Sequence, residues 1–229
     1  MASSTHDSLP LRARKAAYTR LALMDAVVAR LGDGPLDAVN VRACCAEVGV
    51  SAPTFFNYFG DKAGALVFYV YLWSIEAQWH LERATSARTG LQELFDRTAE
   101  RVRESPGVLP EVITAQLRAG AVRSASDRPQ LAPPTVADLR LRFPDLSGID
   151  TLAPVGIDRL FAAAIDRAVV GGELPATTDA ELAQRLLLSL FFGAAASMRD
   201  PGAVADTLSR GLDLLWRGLS DPSSTRGTR

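Results

Sequence analysis

Polar side chains that can grip an anionic polymer follow one another closely in the first third of the chain. Thr54, Asn57, Tyr58 and Lys62 offer hydroxyl, amide and ammonium donors within one short stretch. Compact donors of this kind near the start of a helix can contact phosphates and base edges in the major groove of DNA. The residue types therefore favour binding to double-stranded DNA.

The elements that would position these donors are two short helices. Residues 39–59, VNVRACCAEVGVSAPTFFNYF, predict a helix on each side of a turn at Gly49. Asn40 is placed to cap the first helix and Ser51 the second, whose first turn tolerates Pro53 because an N–H there would have no helical partner. Two helices about such a turn predict a helix-turn-helix. The same spacing also suits a helical hairpin in an unrelated all-α protein.

A basic stretch precedes these helices. Residues 10–20, PLRARKAAYTR, contain four basic side chains and no acidic one. We expect Arg12, Arg14 and Lys15 to contact DNA phosphates from an N-terminal basic arm that leads into the first helix. A solvated helix face would have the same composition, so this interpretation also stays open.

Helical periodicity continues along the rest of the chain. Apolar residues recur at intervals of three and four, and no stretch alternates as a strand would, so the sequence predicts an all-α fold. A Pro-rich stretch, residues 128–154, predicts only one short turn of helix at 136–141. The longer predicted helices cover residues 11–31, 41–48, 52–59, 62–84, 91–103, 109–125, 155–170, 178–198 and a last one ending near 219.

Composition excludes several classes of protein. The 229 residues carry 25 basic and 26 acidic side chains, a net charge of −1, and the longest uncharged apolar run, residues 63–75, is too short to span a bilayer. The two histidines offer no metal site, and no phosphate loop, carboxylate pair or catalytic triad is recognisable, so we expect no enzyme, no metal and no cofactor. Cys44 and Cys45 are adjacent and fall on core positions, which favours packing over a redox role. A cytoplasmic protein fits these features.

Residues 14–73 resemble the DNA-binding domain of the tetracycline-repressor (TetR) family of bacterial regulators. The matching motifs are Val41-Arg42, Gly49-Val50-Ser51, the run TFFNYF at residues 54–59 and Asp61-Lys62. The resemblance covers about a quarter of the chain. Two departures stand out: Phe56 replaces a tyrosine that many members have, and Pro53 replaces a common glycine.

The resemblance assigns roles to individual residues. Ser51, Ala52, Pro53, Thr54 and Asn57 would face base edges or adjacent phosphates, and Tyr58 and Lys62 would bind the phosphate backbone. Asn40 and Arg42 would contribute DNA contacts at the second helix. Without a hydroxyl at Phe56, a phosphate contact is lost and its role passes to Tyr58, while Pro53 offers only an apolar contact, for instance to a thymine methyl.

The resemblance also implies the organisation of the whole chain. We expect residues 1–62 to form a three-helix DNA-binding domain, residues 63–219 a larger helical effector-binding and dimerisation domain, and residues 220–229 a disordered tail. The protein would be a repressor that binds a palindromic operator as a homodimer and is released by a small-molecule effector. The sequence designates no effector-binding residues. A helical protein-interaction adaptor is the alternative, and an enzyme with a coincidental helix-turn-helix is a second one.

Overall fold

The computed structural model describes residues 9–32, 34–114, 131–197 and 201–220, and every regular element in these ranges is helical. The all-α prediction is therefore confirmed. The helices are, in chain order, α1 (Leu11–Ala29), α2 (Val41–Val48), α3 (Ala52–Phe59), α4 (Lys62–Arg83), α5 (Ala87–Glu104), α6 (residues 108–114), α7 (Val136–Arg142), α8 (Ile157–Val170), α9 (Ala180–Ser197) and α10 (Pro201–Ser220). Short 3₁₀ turns occur at Arg30–Gly32, Leu36–Ala38 and Ile149–Thr151.

Most helix bounds match the sequence prediction to within a few residues, and α5 shows the clearest difference. It begins at Ala87, before the predicted start at residue 91, because the hydroxyl of Ser86 accepts a hydrogen bond from the amide of Thr89 at 3.0 Å and caps the helix. The predicted helix at 109–125 lies only partly in the described residues. Of the predicted disordered tail, residues 221–229 lie outside them, and Ser220 is the last residue of α10.

Contacts divide the described residues into two compact units. One draws on Met1–Ile75 and Thr114–Pro154, and the other on Glu76–Ile113 and Val155–Arg229. The first unit thus combines the N-terminal helices with a segment that is distant in sequence.

The core of the first unit is formed by apolar faces of α1, α2, α3 and the start of α4. Leu23, Met24 and Val27 of α1 are fully buried. Cys44 and Cys45 are buried as well, which confirms their predicted packing role. Such close packing fixes the relative positions of these short helices, which would be marginal in isolation.

The segment 131–152 completes the first unit. Helix α7 packs against α1, and Ala137, Leu139 and Ile149 of this segment are buried. At the surface, Arg142 pairs with Asp25 of α1 at 3.2 Å. The short helix predicted at residues 136–141 is therefore confirmed, and it is one of the elements that hold α1.

The second unit has an aromatic core. Phe95 of α5, Phe161 of α8 and Phe191 of α9 contact one another with ring centroids 5.9 to 6.1 Å apart. Helix α10 packs on both α5 and α9, and a Cβ added at Gly211 would lie 2.4 Å from a methyl carbon of Leu190. None of the described helices is long and apolar enough to cross a membrane.

Candidate nucleic-acid interface

The two helices that carry the candidate residues are held by local backbone chemistry. The side chain of Asn40 accepts hydrogen bonds from the amides of Arg42 at 3.0 Å and Ala43 at 3.3 Å, so it caps α2 as the sequence predicts. Gly49 ends α2 with φ +74°, a left-handed conformation that glycine adopts without strain. The turn between α2 and α3 is thus encoded by these two residues.

Helix α3 has one buried and one exposed face. Phe55 and Phe59 are buried at 0% and 3% exposure, and Phe59 packs on Phe68 of α4 with ring centroids 5.8 Å apart. Pro53 and Asn57 are exposed. Because residues three and four apart share a helix face, the exposed residues form one surface strip.

The start of α3 carries two hydroxyls in contact. Ser51 occupies the N-cap position, but its side chain makes no capping bond to the backbone. Instead its hydroxyl lies 3.0 Å from the hydroxyl of Thr54. The prediction that the Ser51 side chain caps α3 is therefore wrong in this detail, because its hydroxyl pairs with the hydroxyl of Thr54 instead of a backbone amide. Ser51 is exposed, whereas Ala52 and Thr54 are half-buried.

Phe56 lies on the exposed strip, in the position where sequence reasoning noted only a missing hydroxyl. Its side chain is 49% exposed, and its ring packs edge-on against Phe55 at 5.5 Å between centroids. Pro53 and Phe56 therefore place an apolar patch beside the amide of Asn57. Tyr58, by contrast, is half-buried.

The predicted basic residues fall into two groups. Arg12, Arg14 and Lys15 are exposed on the first turns of α1, because that helix already begins at Leu11. They therefore belong to a helix surface rather than to an arm before it. Arg42 is exposed in the first turn of α2.

Lys62, the first residue of α4, has a structural role that the sequence did not indicate. Its ammonium donates to the carbonyl oxygens of Asp37 at 2.7 Å and Val39 at 3.2 Å. These carbonyls immediately precede α2, so Lys62 ties the start of α4 to the start of the helix-turn-helix. Its predicted contact with the DNA backbone stays a prediction.

Gly64 is a second residue that sequence reasoning missed. Its amide donates to the carboxylate of Asp61 at 2.7 Å, which caps α4 as expected. A Cβ at this position would lie 1.9 Å from the carbonyl oxygen of Phe59. Only glycine therefore permits the close approach between the end of α3 and the start of α4.

The fourth basic residue of the N-terminal stretch is turned inward. Arg20 is only 6% exposed and pairs with the fully buried Asp138 of α7 at 3.2 Å. Asp138 and Thr135 form a reciprocal capping box at the start of α7. The Thr-x-x-Asp spacing at 135–138 was the available signal for that cap, but nothing local links it to Arg20.

The two cysteines, which were the remaining candidates for chemistry, are buried. Burial raises the pKa of the thiols of Cys44 and Cys45, and the Cys44 sulfur lies 3.6 Å from the carbonyl oxygen of Ala26. A raised pKa keeps a thiol protonated and unreactive near neutral pH. Within the described ranges, no group of three or more His, Cys, Asp or Glu residues could hold a metal ion.

The described residues form a helix-turn-helix whose second helix has one exposed face, and a second unit that is also helical. The fold is shared with solved TetR-family regulators. No protein-family model matches the chain, and no curated protein sequence does so.

Three solved structures illustrate the likeness. The ketosteroid transcriptional regulator KstR2 of Mycobacterium tuberculosis is 14% identical with a TM-score of 0.52, over 88% of this chain and 95% of that one. A cysteine mutant of the TetR-family regulator CifR, complexed with 26-bp operator DNA, is 22% identical with a TM-score of 0.54, over 86% and 95%. A TetR regulator from Rhodococcus sp. RHA1 is 20% identical with a TM-score of 0.50, over 88% and 96%.

Proposed function

We propose that the protein is a TetR-type transcriptional regulator that binds double-stranded DNA through α3. The observation that carries this proposal is the exposed strip of Pro53, Phe56 and Asn57, which is presented on a short helix anchored by two buried phenylalanines. Its position in a fold shared with TetR-family regulators adds support.

The strip supplies the two kinds of contact that read bases. An asparagine amide can bond both N6 and N7 of adenine, and apolar side chains contact the methyl group of thymine. We therefore assign Asn57 to an adenine and the Pro53–Phe56 patch to a neighbouring thymine. Ser51, Ala52 and Thr54 lie at the end of α3 that enters the groove.

The remaining predicted residues would hold the phosphate backbone. Exposed Arg12, Arg14 and Lys15 on α1 and Arg42 on α2 supply positive charge on the same unit as α3. Because the Asn40 oxygen caps the first amides of α2, the donors left for a phosphate at this end of the helix are the Asn40 amide nitrogen and the Arg42 guanidinium. Tyr58 and Lys62 are assigned weaker roles in DNA contact, because one is half-buried and the other bonds protein carbonyls.

We assign the second unit to homodimer formation and effector binding. Leu182 and Leu186 lie one turn apart on α9 at 43% exposure each, and Leu214 on α10 is 67% exposed. Because α9 and α10 pack together, these leucines can meet a symmetry-related copy as a four-helix interface. A dimer of this kind places two recognition helices about 34 Å apart, one turn of DNA, and requires a near-palindromic operator.

Control by a small molecule follows if the effector binds one conformation of the dimer better than another. The coupling free energy between effector binding and operator binding is typically about 1 to 3 kcal/mol in allosteric proteins. We propose that the effector lowers operator affinity, which makes the protein a cytoplasmic repressor. An activator would show the opposite sign of coupling.

The proposal is tested by footprinting DNA that flanks the protein's own coding region. The expected result is a protected, near-palindromic site with binding that weakens steeply as salt concentration rises. The adaptor interpretation predicts no protected site and instead a heteromeric protein partner. Protection without any inverted symmetry would remove the dimer from the proposal.

A further inference from the structure

The segment 131–152 has an unusual place in the chain. The residues on both sides of the stretch Thr114–Pro154, namely Ile113 and Val155, belong to the second unit, whereas the described part of the stretch itself packs with the first. The chain therefore crosses to the DNA-binding unit and returns. The segment is thus joined covalently to the second unit at Pro154–Val155, while its packing contacts are with α1.

That attachment centres on a buried ion pair. The guanidinium of Arg20 bonds the carboxylate of Asp138 at 3.2 Å and the carbonyl oxygen of Ala132 at 2.6 Å, and it lies 3.8 Å from the ring centroid of Phe68 on α4. One side chain of α1 thus contacts α4 and two points of the segment at once.

The attached segment also lies beside α3. A groove of about 410 Å³ is lined by α1, by Tyr58 of α3 and by Thr135–Asp138. Tyr58 of α3 therefore faces the segment across this groove, and α1 contacts both the segment and α3.

The hydrogen bonding of the buried ion pair is incomplete. Asp138 Oδ2 accepts from Arg20 and from both the amide and the hydroxyl of Thr135. The other carboxylate oxygen, and Nε of Arg20, are buried with no hydrogen-bond partner in the described part of the chain. An incompletely satisfied buried ion pair contributes little net stability, and its best-attested use is to specify one arrangement over another.

We propose that the Arg20–Asp138 pair is a latch: with 131–152 attached, the helix-turn-helix is ordered for operator binding, and release of the segment lowers operator affinity. This inference rests on the proposed function and adds its regulation. Attachment favours binding because a preordered recognition unit loses less conformational entropy on complex formation. Arg20 and Asp138 are positioning residues, since neither needs to touch DNA.

The latch is tested with Asp138→Asn, which leaves the Arg20 charge buried and unpaired. Hydrogen exchange of the full-length protein is followed at residues 136–142 and in α3, and binding is measured to the duplex that the footprint identifies. We expect faster exchange in both regions and operator affinity reduced by about 5- to 150-fold, the usual range of allosteric coupling. By reciprocity, operator DNA should slow exchange at 136–142 in the wild-type protein.

Two further variants separate a latch from a merely structural contact. The double variant Arg20→Met with Asp138→Leu removes both buried charges but also the Asp138 cap of α7, so it should recover most, not all, of the slow exchange and operator affinity that Asp138→Asn loses. Asp25→Asn removes the exposed pair with Arg142 and should change neither readout.

Several results would overturn the latch. One is fast exchange at 136–142 in Asp138→Asn with α3 exchange and operator affinity unchanged; another is unchanged exchange at 136–142. If Asp138→Asn does not fold, failure of the double variant to bind operator despite slow exchange at 136–142 rejects the proposal. If the wild-type protein binds no DNA, the proposed function fails and the latch fails with it as a control of operator binding. If the wild-type protein binds DNA but α3 exchange does not follow exchange at 136–142, the latch alone fails.

Discussion

The ammonium nitrogen of Lys62 lies 2.7 Å from the carbonyl oxygen of Asp37, twenty-five residues earlier in the chain. A second bond to Val39 closes the gap between the start of α4 and the start of α2. A residue that sequence resemblance assigns to DNA is therefore part of the scaffold that holds the helix-turn-helix. Its substitution must change stability as well as any contact with DNA.

Lys62→Met should lower the free energy of unfolding by about 1 to 2 kcal/mol, because two carbonyls lose a charged donor while the apolar stem is retained. Urea denaturation measures this change. Lys15→Met, which alters an exposed lysine of α1, is the matched control and should stay within about 0.5 kcal/mol of wild type. Equal stability of both variants would contradict the scaffold role.

Gly64→Ala tests the close approach between α3 and α4. A Cβ there would lie 1.9 Å from the Phe59 carbonyl oxygen, a backbone atom that cannot rotate away. We expect destabilisation of about 3 kcal/mol, at the upper end of overpacking effects. Gly34→Ala, whose Cβ would meet only the Ala38 methyl at 3.9 Å, should cost less than about 1 kcal/mol. The measurement is the melting temperature of the two variants, which should be clearly lower for Gly64→Ala. Similar melting temperatures would refute the prediction.

The exposed leucines of α9 and α10 predict the oligomeric state. Leu186→Glu combined with Leu214→Glu should weaken dimerisation by about 3 to 5 kcal/mol, because each charge would be buried without a partner. Light scattering across a dilution series should then report monomers where wild type is dimeric. Val170→Glu changes a 90% exposed residue of α8 and should leave the dimer intact. A wild-type monomer, or a dimer indifferent to the leucine substitutions, would contradict this interface.

His80 predicts a pH dependence of stability in the second unit. Burial lowers the pKa of His80, and the nearby positive charge of Arg97 acts in the same direction. His80 therefore binds a proton more readily in the unfolded chain than in the folded one. Its contribution to the free energy of unfolding is fully present above the ordinary histidine pKa of 6.5 and is lost as the pH falls below that value.

The test for His80 is the difference in melting temperature between about pH 7.5 and pH 5, which bracket the ordinary histidine pKa. His80→Gln should reduce that difference, because the substituted side chain does not titrate. His6→Gln alters the other histidine of the chain and serves as the control. An unchanged difference in His80→Gln would show that other groups cause the acid sensitivity.

The helix-turn-helix was predictable because its signals are local. The Asn40 cap, the left-handed turn at Gly49 and the buried spacing of Phe55 and Phe59 all act within one or two turns of helix. These features follow directly from capping chemistry and helical periodicity. The buried and exposed faces of α3 were not predicted, although the i, i+4 spacing of Phe55 and Phe59 carries that signal.

Long-range partners were not predictable from the chain. The sequence pattern groups Arg20 with three other basic residues of the stretch 10–20, yet the structure pairs it with Asp138, 118 residues away. Likewise, the Pro-rich stretch gave no sign that α7 packs on α1. Tertiary contacts of this kind depend on how elements pack, and a periodic pattern records only which face of each element is apolar.

The central claim is that the exposed strip of α3 reads bases while α1 supplies phosphate contacts, and fluorescence anisotropy across a salt series tests it most directly. With the footprinted duplex, Asn57→Ala should lose about 1 to 3 kcal/mol of affinity at an unchanged salt slope, whereas Arg14→Ala should reduce the slope by about 1. Arg159→Ala, an exposed arginine of α8, should change neither. Binding that is equally strong and equally salt-dependent in all four proteins would contradict the account.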